Sequence, residues 1–381
     1  MHMAYVSTYN ARNILNWSGT ALHMAEAFQN QNIKVDFIDH LHEYVSHIVS
    51  LKRFVYKGVF CKTYFVDREP RVAKHYARQA KEKLIGIKSD VIFSPGTIPI
   101  AYLESEKPIV FWTDATFAGM INYYPSYSNL CEETIVNGNK MEQLALSRCK
   151  LALYSSDWAA KTAIDNYMVD CNKVKVVSFG ANIKCNKSLE DVKNIVKKRN
   201  PSICKLLFIG KEWERKGGDV ALRVAEELNR NDIRTELTIV GRGPDNQREL
   251  PNYVKVTGFL DKNRPENEKL IEGFIAESHF LVLPSRAEAS AIVFCEANSF
   301  GVPCVTTDVG GTSTIIRNGV NGQTFSLNAS ISEYCEFISD YFGDGCRYEE
   351  LALASYNEYR TRLNWDVAGQ RVRKLIEEYC F

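Results

Sequence analysis

Short apolar runs recur along the chain, and most stop at a polar or glycine-bearing loop. The opening MAYVSTYN reads as a strand. NWSGTALHMAEAFQNQN follows, in which Ser18 suits a helix N-cap and Leu22, Ala25 and Phe28 recur at helical spacing. IKVDFIDH, SDVIFSPG and KPIVFWTDA predict three further strands. KLALYSSDWAAKTAIDNY predicts a strand, a polar turn and a helix, and KVKVVSFGANI a closing strand. These runs are near-continuous rather than alternating, which marks strands covered on both faces of a parallel sheet. Residues 186–203 are more charged and poor in apolar positions, and predict a hinge region. The pattern then restarts, with strands predicted in CKLLFIG, RTELTIVGRGPD, VKVTGFL, HFLVLPSRAEAS and PCVTTDVGG. VAGQRVRKLIEEYCF reads as a terminal helix. The class is therefore α/β: two Rossmann-like, doubly wound domains, 1–185 and 204–365, facing across a cleft, joined by 186–203 and followed by a helix at 366–381.

Composition narrows this only a little. The chain has 381 residues, which at roughly 150 per domain agrees with two domains. It is 45% hydrophobic and 24% charged, as ordinary globular proteins are. A net charge of +1 gives no footprint for nucleic acid. Eleven scattered cysteines, odd in number and without a CxxC pair, argue against a disulfide framework or zinc site and for a reducing, cytoplasmic compartment. No apolar run reaches the ~18 residues of a membrane span, and the first ten residues read as a strand rather than a secretory leader.

The loops carry the chemistry. Each follows a strand, so all can line one cleft beyond the carboxyl ends of the sheets. In NWSGT, Gly19 opens a helix whose free N–H groups favour a phosphate; the alternative is a tight turn that simply needs glycine. In WERKGGD, Arg215 and Lys216 precede two glycines and a helix, as a diphosphate clamp would, or as a solvated basic turn would. In SRAEASA, the small residues Ala289, Ser290 and Ala291 leave backbone amides open to a ligand. Glu288 and Glu296 stand eight positions apart, a helical rise of ~12 Å. That is comparable to the span from a sugar ring across a diphosphate to a ribose. A carboxylate only accepts, so sugar hydroxyls suit Glu288 and a ribose diol suits Glu296. The competing reading is a pair of glutamates salt-bridged within the domain or turned to water.

LLFIGKEWERKGGD, LTIVGRGP, VTGFLDK, LVLPSRAEASAIVFCEANSFGVPCVTT and NGVNGQTF occur in an order and spacing that resemble glycosyltransferase family 4, the retaining GT-B enzymes, from about residue 204 to 326. NWSGT and SSDWAAKTAI extend the likeness more weakly into the first half. The resemblance implies that Glu296 binds the donor ribose and Glu288 the transferred sugar. It implies that Arg215 and Lys216 hold the diphosphate and stabilise the leaving group, helped by Gly19 and by amides near Ser290, Ala291 and Ile292. Gly210, Gly241, Gly258 and Phe259 would line the nucleotide, and the last helix would cross back to the first domain. Retaining, front-face transfer without a metal or other cofactor is implied, the domains closing over the donor to exclude water.

The chain departs from this family in two places. Many relatives read E-G-F-G where Glu288, Ala289, Ser290 and Ala291 stand, so the alanines are expected to add methyl groups near the diphosphate and to bear on which donor sugar fits; many relatives also carry a histidine at the first-domain strand end. The matching VFWTDAT has none; Asp114 is the candidate for that role, or else caps the next helix.

The expected partners are a nucleotide sugar, UDP-linked before GDP-linked, and a saccharide, small-molecule or lipid-linked acceptor. Residues 52–88 are basic and aromatic, and PRVAKHYARQAKEKLIG places Val72, Tyr76, Ala80 and Leu84 on one helix face. Such a helix can lie on an anionic membrane, or can be a solvated face of the domain. HLH at 40–42 with His47 lacks metal-site spacing and reads as incidental. Two other functions stay open: a nucleotide-sugar epimerase of GT-B architecture, and a catalytically degraded sugar-nucleotide-binding subunit.

Overall fold

In the computed structural model, which describes residues 1–183, 185–244 and 250–381, the apolar runs become the strands of two six-stranded sheets. The first holds β1 (His2–Val6), β2 (Lys34–Ile38), β3 (Val91–Ser94), β4 (Ile109–Thr113), β5 (Leu151–Tyr154) and β6 (Val174–Val176), in the order β2-β1-β3-β4-β5-β6. The second holds β7 (Cys204–Gly210), β8 (Thr235–Gly241), β9 (Val254–Gly258), β10 (Phe280–Leu283), β11 (Cys304–Thr307) and β12 (Gly322–Phe325), in the order β12-β11-β10-β7-β8-β9. Every pairing is parallel. Strands β3, β4, β5, β10 and β11 are buried at every position, which is why their sequences do not alternate. The strand order reverses between β1 and β3 in one sheet and between β7 and β10 in the other. At such a switch point neighbouring loops leave in opposite directions and open a crevice.

The chain divides into two compact units, residues 1–178 with 368–381, and residues 179–367. The final helix, Trp365–Cys380, supplies the returning segment of the first unit. There Arg373 Nη1 donates to the Gln31 carbonyl at 2.7 Å, at the end of the helix Thr20–Asn30.

Several expectations need correction. The segment 186–203 is not a hinge. Residues Leu189–Lys197 form a helix with a capping box between Ser188 and Asp191, and Val192 and Val196 enter the second unit's core. Arg199, 6% exposed, then fastens the segment down. Its guanidinium donates to the carbonyls of Ala276, Phe300 and Gly301 at 2.8–3.1 Å and to the Tyr348 hydroxyl at 2.6 Å. Of the charged residues that suggested a hinge, Glu190, Asp191, Lys193 and Lys197 lie on the outer side of this helix. Ser18 is not the N-cap of its helix. Trp17, Ser18 and Gly19 all take left-handed backbone angles, so the cap is Gly19. Strand β12, in NGVNGQTF, was not expected; it is a short, half-buried edge strand. Lys184, near the end of the expected first domain, and Asp245, at the end of the Gly-rich turn after β8, lie outside the described residues.

The helix Pro70–Leu84 also differs from its membrane reading. Val72, Ala73, Tyr76, Ala77 and Ala80 are buried in the first unit's core, so its apolar face is already covered. Among the described residues no helix is long and apolar enough to cross a membrane.

Val192 has no exposed surface. Val192→Ala should therefore cost the protein about 2 kcal/mol, read as a lower urea midpoint; a wild-type midpoint would restore the hinge. His279 gives a second test. Its Nδ1 accepts the Lys205 backbone N–H at 3.0 Å, and burial, then the charges of Arg199 and Lys205, push its imidazole down to about 3. An unfolded histidine titrates near 6.5. The unfolded chain therefore binds a proton that the folded chain refuses, and His279's contribution, full above about pH 6.5, is lost as pH falls towards 3. Urea midpoints measured from pH 7 down to pH 4 should fall less steeply for His279→Asn than for the wild type.

Candidate functional site

The reversal between β7 and β10 sets two loops side by side at the carboxyl end of the second sheet. After β7, Glu212–Lys216 form a tight turn in which the Lys216 N–H donates to the Glu212 carbonyl at 2.9 Å. The turn closes on Gly217, whose φ of 73° caps the helix Gly218–Arg230. A Cβ on Gly217 would lie 2.0 Å from the Pro284 carbonyl oxygen, so only glycine allows the β7 loop this close to the β10 loop. Arg286 adds three bonds: its N–H donates to the Arg215 carbonyl at 2.7 Å, and its guanidinium grips Asp219, in the helix's first turn, through both oxygens at 2.7 and 2.8 Å.

Arg215, Lys216 and Glu288 meet in this junction. The Lys216 ammonium donates to Glu288 Oε2, and Arg215 Nη1 lies 3.6 Å from the same oxygen. Arg215 is further held by the Ala287 carbonyl at 2.7 Å and by both oxygens of Glu212 at 2.6 and 3.0 Å. The same contact holds the Glu212 carboxyl below its usual range, chiefly through its hydrogen bond to Arg215. Glu288 is only 6% exposed, so its charge requires these cations.

Glu296 is held differently. The helix that carries it covers only Ile292–Asn298, and Glu288 lies in the loop before it, so the two glutamates do not share one helix as their spacing suggested. Glu296 is 2% exposed, and Lys262 Nζ donates to its Oε1 at 2.5 Å from the loop after β9. Sequence reasoning missed Lys262, and it missed Glu212 and the Arg286–Asp219 pair. A buried carboxylate at a strand end signals that some cation must reach it, but the sequence does not choose among Lys211, Lys262 and Arg264.

Beside these pairs, Gly210, Gly241 and Gly258 end three adjacent strands, Gly210 directly opposite Gly241 and Gly258 paired to it across a bulge. A Cβ on Gly241 would fall 2.0 Å from the Gly210 carbonyl oxygen, so the ledge they make is bare backbone. Phe259 follows it, 57% exposed, with the Lys211 ammonium 4.4 Å from its ring centre. Ala289 and Ala291 are buried and Ile292 half-buried, while the Ser290 hydroxyl is buried with no hydrogen-bond partner among the described residues.

In the first unit the structure joins the other two candidates. The left-handed run that ends at Gly19 turns the Trp17 indole onto Asp114, Nε1 donating to Oδ2 at 3.3 Å. Asp114 does not cap the following helix: Thr116 does, accepting the Gly119 N–H at 3.0 Å. The Tyr9 hydroxyl, buried near Asp114, has its pKa raised by burial first and that carboxylate second. Among the described residues no three His, Cys, Asp or Glu side chains gather to hold a metal ion.

Residues 204–342 match the family described as glycosyl transferases group 1. The D-inositol 3-phosphate glycosyltransferase of Thermomonospora curvata is 26% identical over 185 residues, 46% of this chain and 42% of that protein. The chain spans about half the length of the curated relatives it matches. Among solved structures, the sucrose-phosphate synthase of Thermosynechococcus elongatus superposes with a TM-score of 0.70 at 13% identity, over 99% of this chain and 98% of that one. Anabaena HepE, solved with UDP and glucose, gives 0.63 at 14% identity over 98% and 99%. The two sheets are thus the Rossmann-like domains of the GT-B fold.

Lys262→Met should strand the buried Glu296 charge and cost roughly 2 kcal/mol, less than the about 3–5 of a fully enclosed pair because Lys262 keeps a quarter of its exposure. Adding Glu296→Gln should recover most of that loss. Simple additivity in this double-mutant cycle, followed by thermal unfolding, would show the pair to be uncoupled.

Proposed function

We propose that this chain, whose residues 204–342 belong to the group 1 glycosyltransferases, moves a glycosyl unit from a nucleotide-diphosphate sugar to an acceptor with retention of configuration, in the manner of family 4. The observation that carries the reading is the convergence of Arg215 and Lys216 on Glu288 at the β7/β10 switch point. Two cations there suit a departing diphosphate, whose negative charge grows as the glycosidic bond breaks. The carboxylate between them suits the hydroxyls of the transferred sugar, all of which can donate to it.

Glu296, on the neighbouring helix, is then the acceptor for the donor's ribose diol. Lys262 occupies only one of its oxygens, which leaves Oε2 for that contact. The bare ledge of Gly210, Gly241 and Gly258, with exposed Phe259 beside it, suits a flat nucleobase. The Ser290 hydroxyl and the amides of Ala289, Ala291 and Ile292 add neutral donors for phosphate oxygens. The cations sit among carboxylates, Glu212 and Glu288, so a bound diphosphate must draw Arg215 and Lys216 partly away from them. Arg215 and Lys216 supply the charge that a metal would otherwise supply, and the donor phosphate takes the acceptor's proton. Within the first unit, Gly19's loop offers a helix start suited to a phosphate, and Asp114, held by Trp17, a carboxylate suited to sugar hydroxyls.

A UDP-sugar is the favoured donor, which HepE's complex with UDP and glucose supports by analogy of fold. The acceptor is a saccharide, a small molecule or a lipid-linked glycan, reached from the cytoplasmic side.

The test is thermal unfolding with UDP-, GDP- and ADP-sugars in the presence of EDTA. One nucleotide family, at a hundred times its dissociation constant, should stabilise the protein by about 2.7 kcal/mol and should not stabilise Glu296→Ala. Lys216→Ala should slow donor turnover by roughly 10²–10³. Silence across the whole panel would transfer the site to a degraded, non-catalytic subunit.

A further inference from the structure

The helix His47–Gly58 is mounted in the first unit with its apolar stripe facing outward. Its inner side is fixed by three contacts. Val49 is buried, Tyr56 stacks on Tyr64 with ring centres 5.4 Å apart and planes 10° apart, and Lys52 pairs with Glu69 and Glu133. That rotation turns Ile48, Leu51 and Phe54, spaced three apart, to solvent at 54%, 62% and 71% exposure. Tyr44 before the helix and Val59 and Phe60 after it are exposed as well. Of the nineteen exposed large hydrophobics among the described residues, seven fall within residues 44–60, so this is a patch and not scatter.

Its charge identifies what it meets. Residues 44–62 contain Lys52, Arg53, Lys57 and Lys62 and no aspartate or glutamate. Lys52 is neutralised by its two carboxylates, while Arg53, Lys57 and Lys62 are exposed along the border of the apolar stripe. Glu43, just before Tyr44, is the one exposed acid beside it in sequence, and an outward apolar stripe on a helix whose exposed charges are cations matches a surface that is greasy within and negative above. We propose that this helix is a membrane-docking element, seating Ile48, Leu51 and Phe54 among the acyl chains of an anionic bilayer while Arg53, Lys57 and Lys62 engage lipid headgroups. The element is not the helix Pro70–Leu84, whose apolar face is spent on the core. The inference goes beyond the transfer reading, and its test uses no sugar.

The full chain is sedimented with vesicles of phosphatidylglycerol and phosphatidylcholine, and with vesicles of phosphatidylcholine alone. Wild type should pellet with the anionic vesicles and weakly with the neutral ones, and high salt should release much of it. Leu51→Glu/Phe54→Glu should lower partitioning at least tenfold. Arg53→Gln and Lys57→Gln should each lower it about fivefold on anionic vesicles only. All these side chains are exposed, so the variants should keep the wild-type melting temperature and the wild-type response to nucleotide sugars, which separates failure here from failure of the donor site. Equal pelleting of wild type and Leu51→Glu/Phe54→Glu would overturn the proposal. So would a concentration-dependent dimer in sedimentation velocity that this double variant abolishes, since the patch would then cover a second copy of the chain.

Discussion

A buried carboxylate must be met by a cation, and in the second unit that requirement fixes the shape of everything at the sheet's carboxyl edge. Glu288 rises from the loop after β10 and is met by Lys216 and Arg215 from the loop after β7. The two strands are neighbours only because the strand order reverses there. Pulling the loops together demands a close backbone approach, which Gly217 permits against Pro284 and the Arg286–Asp219 pair reinforces. Remove the carboxylate, and two half-buried cations repel across the junction; remove the cations, and a charge is left that the interior cannot solvate. The site is therefore held in shape by the same groups that would bind the donor. A diphosphate and a sugar can exchange for these internal partners because each offers the same sign of charge or the same donors.

Glu296 and Lys262 repeat the arrangement with a difference that matters for binding. One ammonium on one oxygen keeps the carboxylate aimed and leaves its other oxygen uncommitted to Lys262. Because Lys262 comes from the loop after β9, Glu296 is tied to the loop that carries Phe259. On the proposed reading, a shift of that loop would move the nucleobase and ribose contacts together.

The strands were legible because a parallel sheet buried on both faces writes itself as unbroken apolar runs, and eleven of the twelve strands described were read this way. Strand β12 escaped because Gly322–Phe325, GQTF, holds a single large apolar residue, whereas the other edge strands keep two or more. The helix at 189–197 was misread for a related reason. Its charged face dominates the composition, while its two buried valines and the reach of Arg199 to carbonyls from residues 276 to 301 are long-range facts. In the second unit, spacing singled out Arg215, Lys216, Glu288 and Glu296, three of which the fold brings together, but it did not show the partners that hold the candidates. Lys262 lies 34 residues from Glu296, and Trp17 lies 97 residues from Asp114. Ser18 failed as a cap because three successive left-handed residues, costly for tryptophan and serine, are imposed by the surrounding fold and override local preference.

The small residues between the two glutamates can now be weighed physically. Alanine in place of glycine was expected to add methyl groups beside the diphosphate. Ala291 instead sends its methyl into the second unit's core, and Ala289 is likewise buried at 3% exposure. Neither needs glycine's freedom: Ala291 sits at φ −81° and ψ 99°, angles open to any residue. Where the native angles suit alanine, replacing glycine narrows the unfolded ensemble and stiffens the folded turn. The departure from glycine thus acts on how firmly the amides at residues 289–292 are held before a donor arrives. A stiffer turn loses less entropy on binding but adapts less to a ligand's outline, so on the proposed reading these positions would bear on donor selectivity through the backbone rather than through bulk.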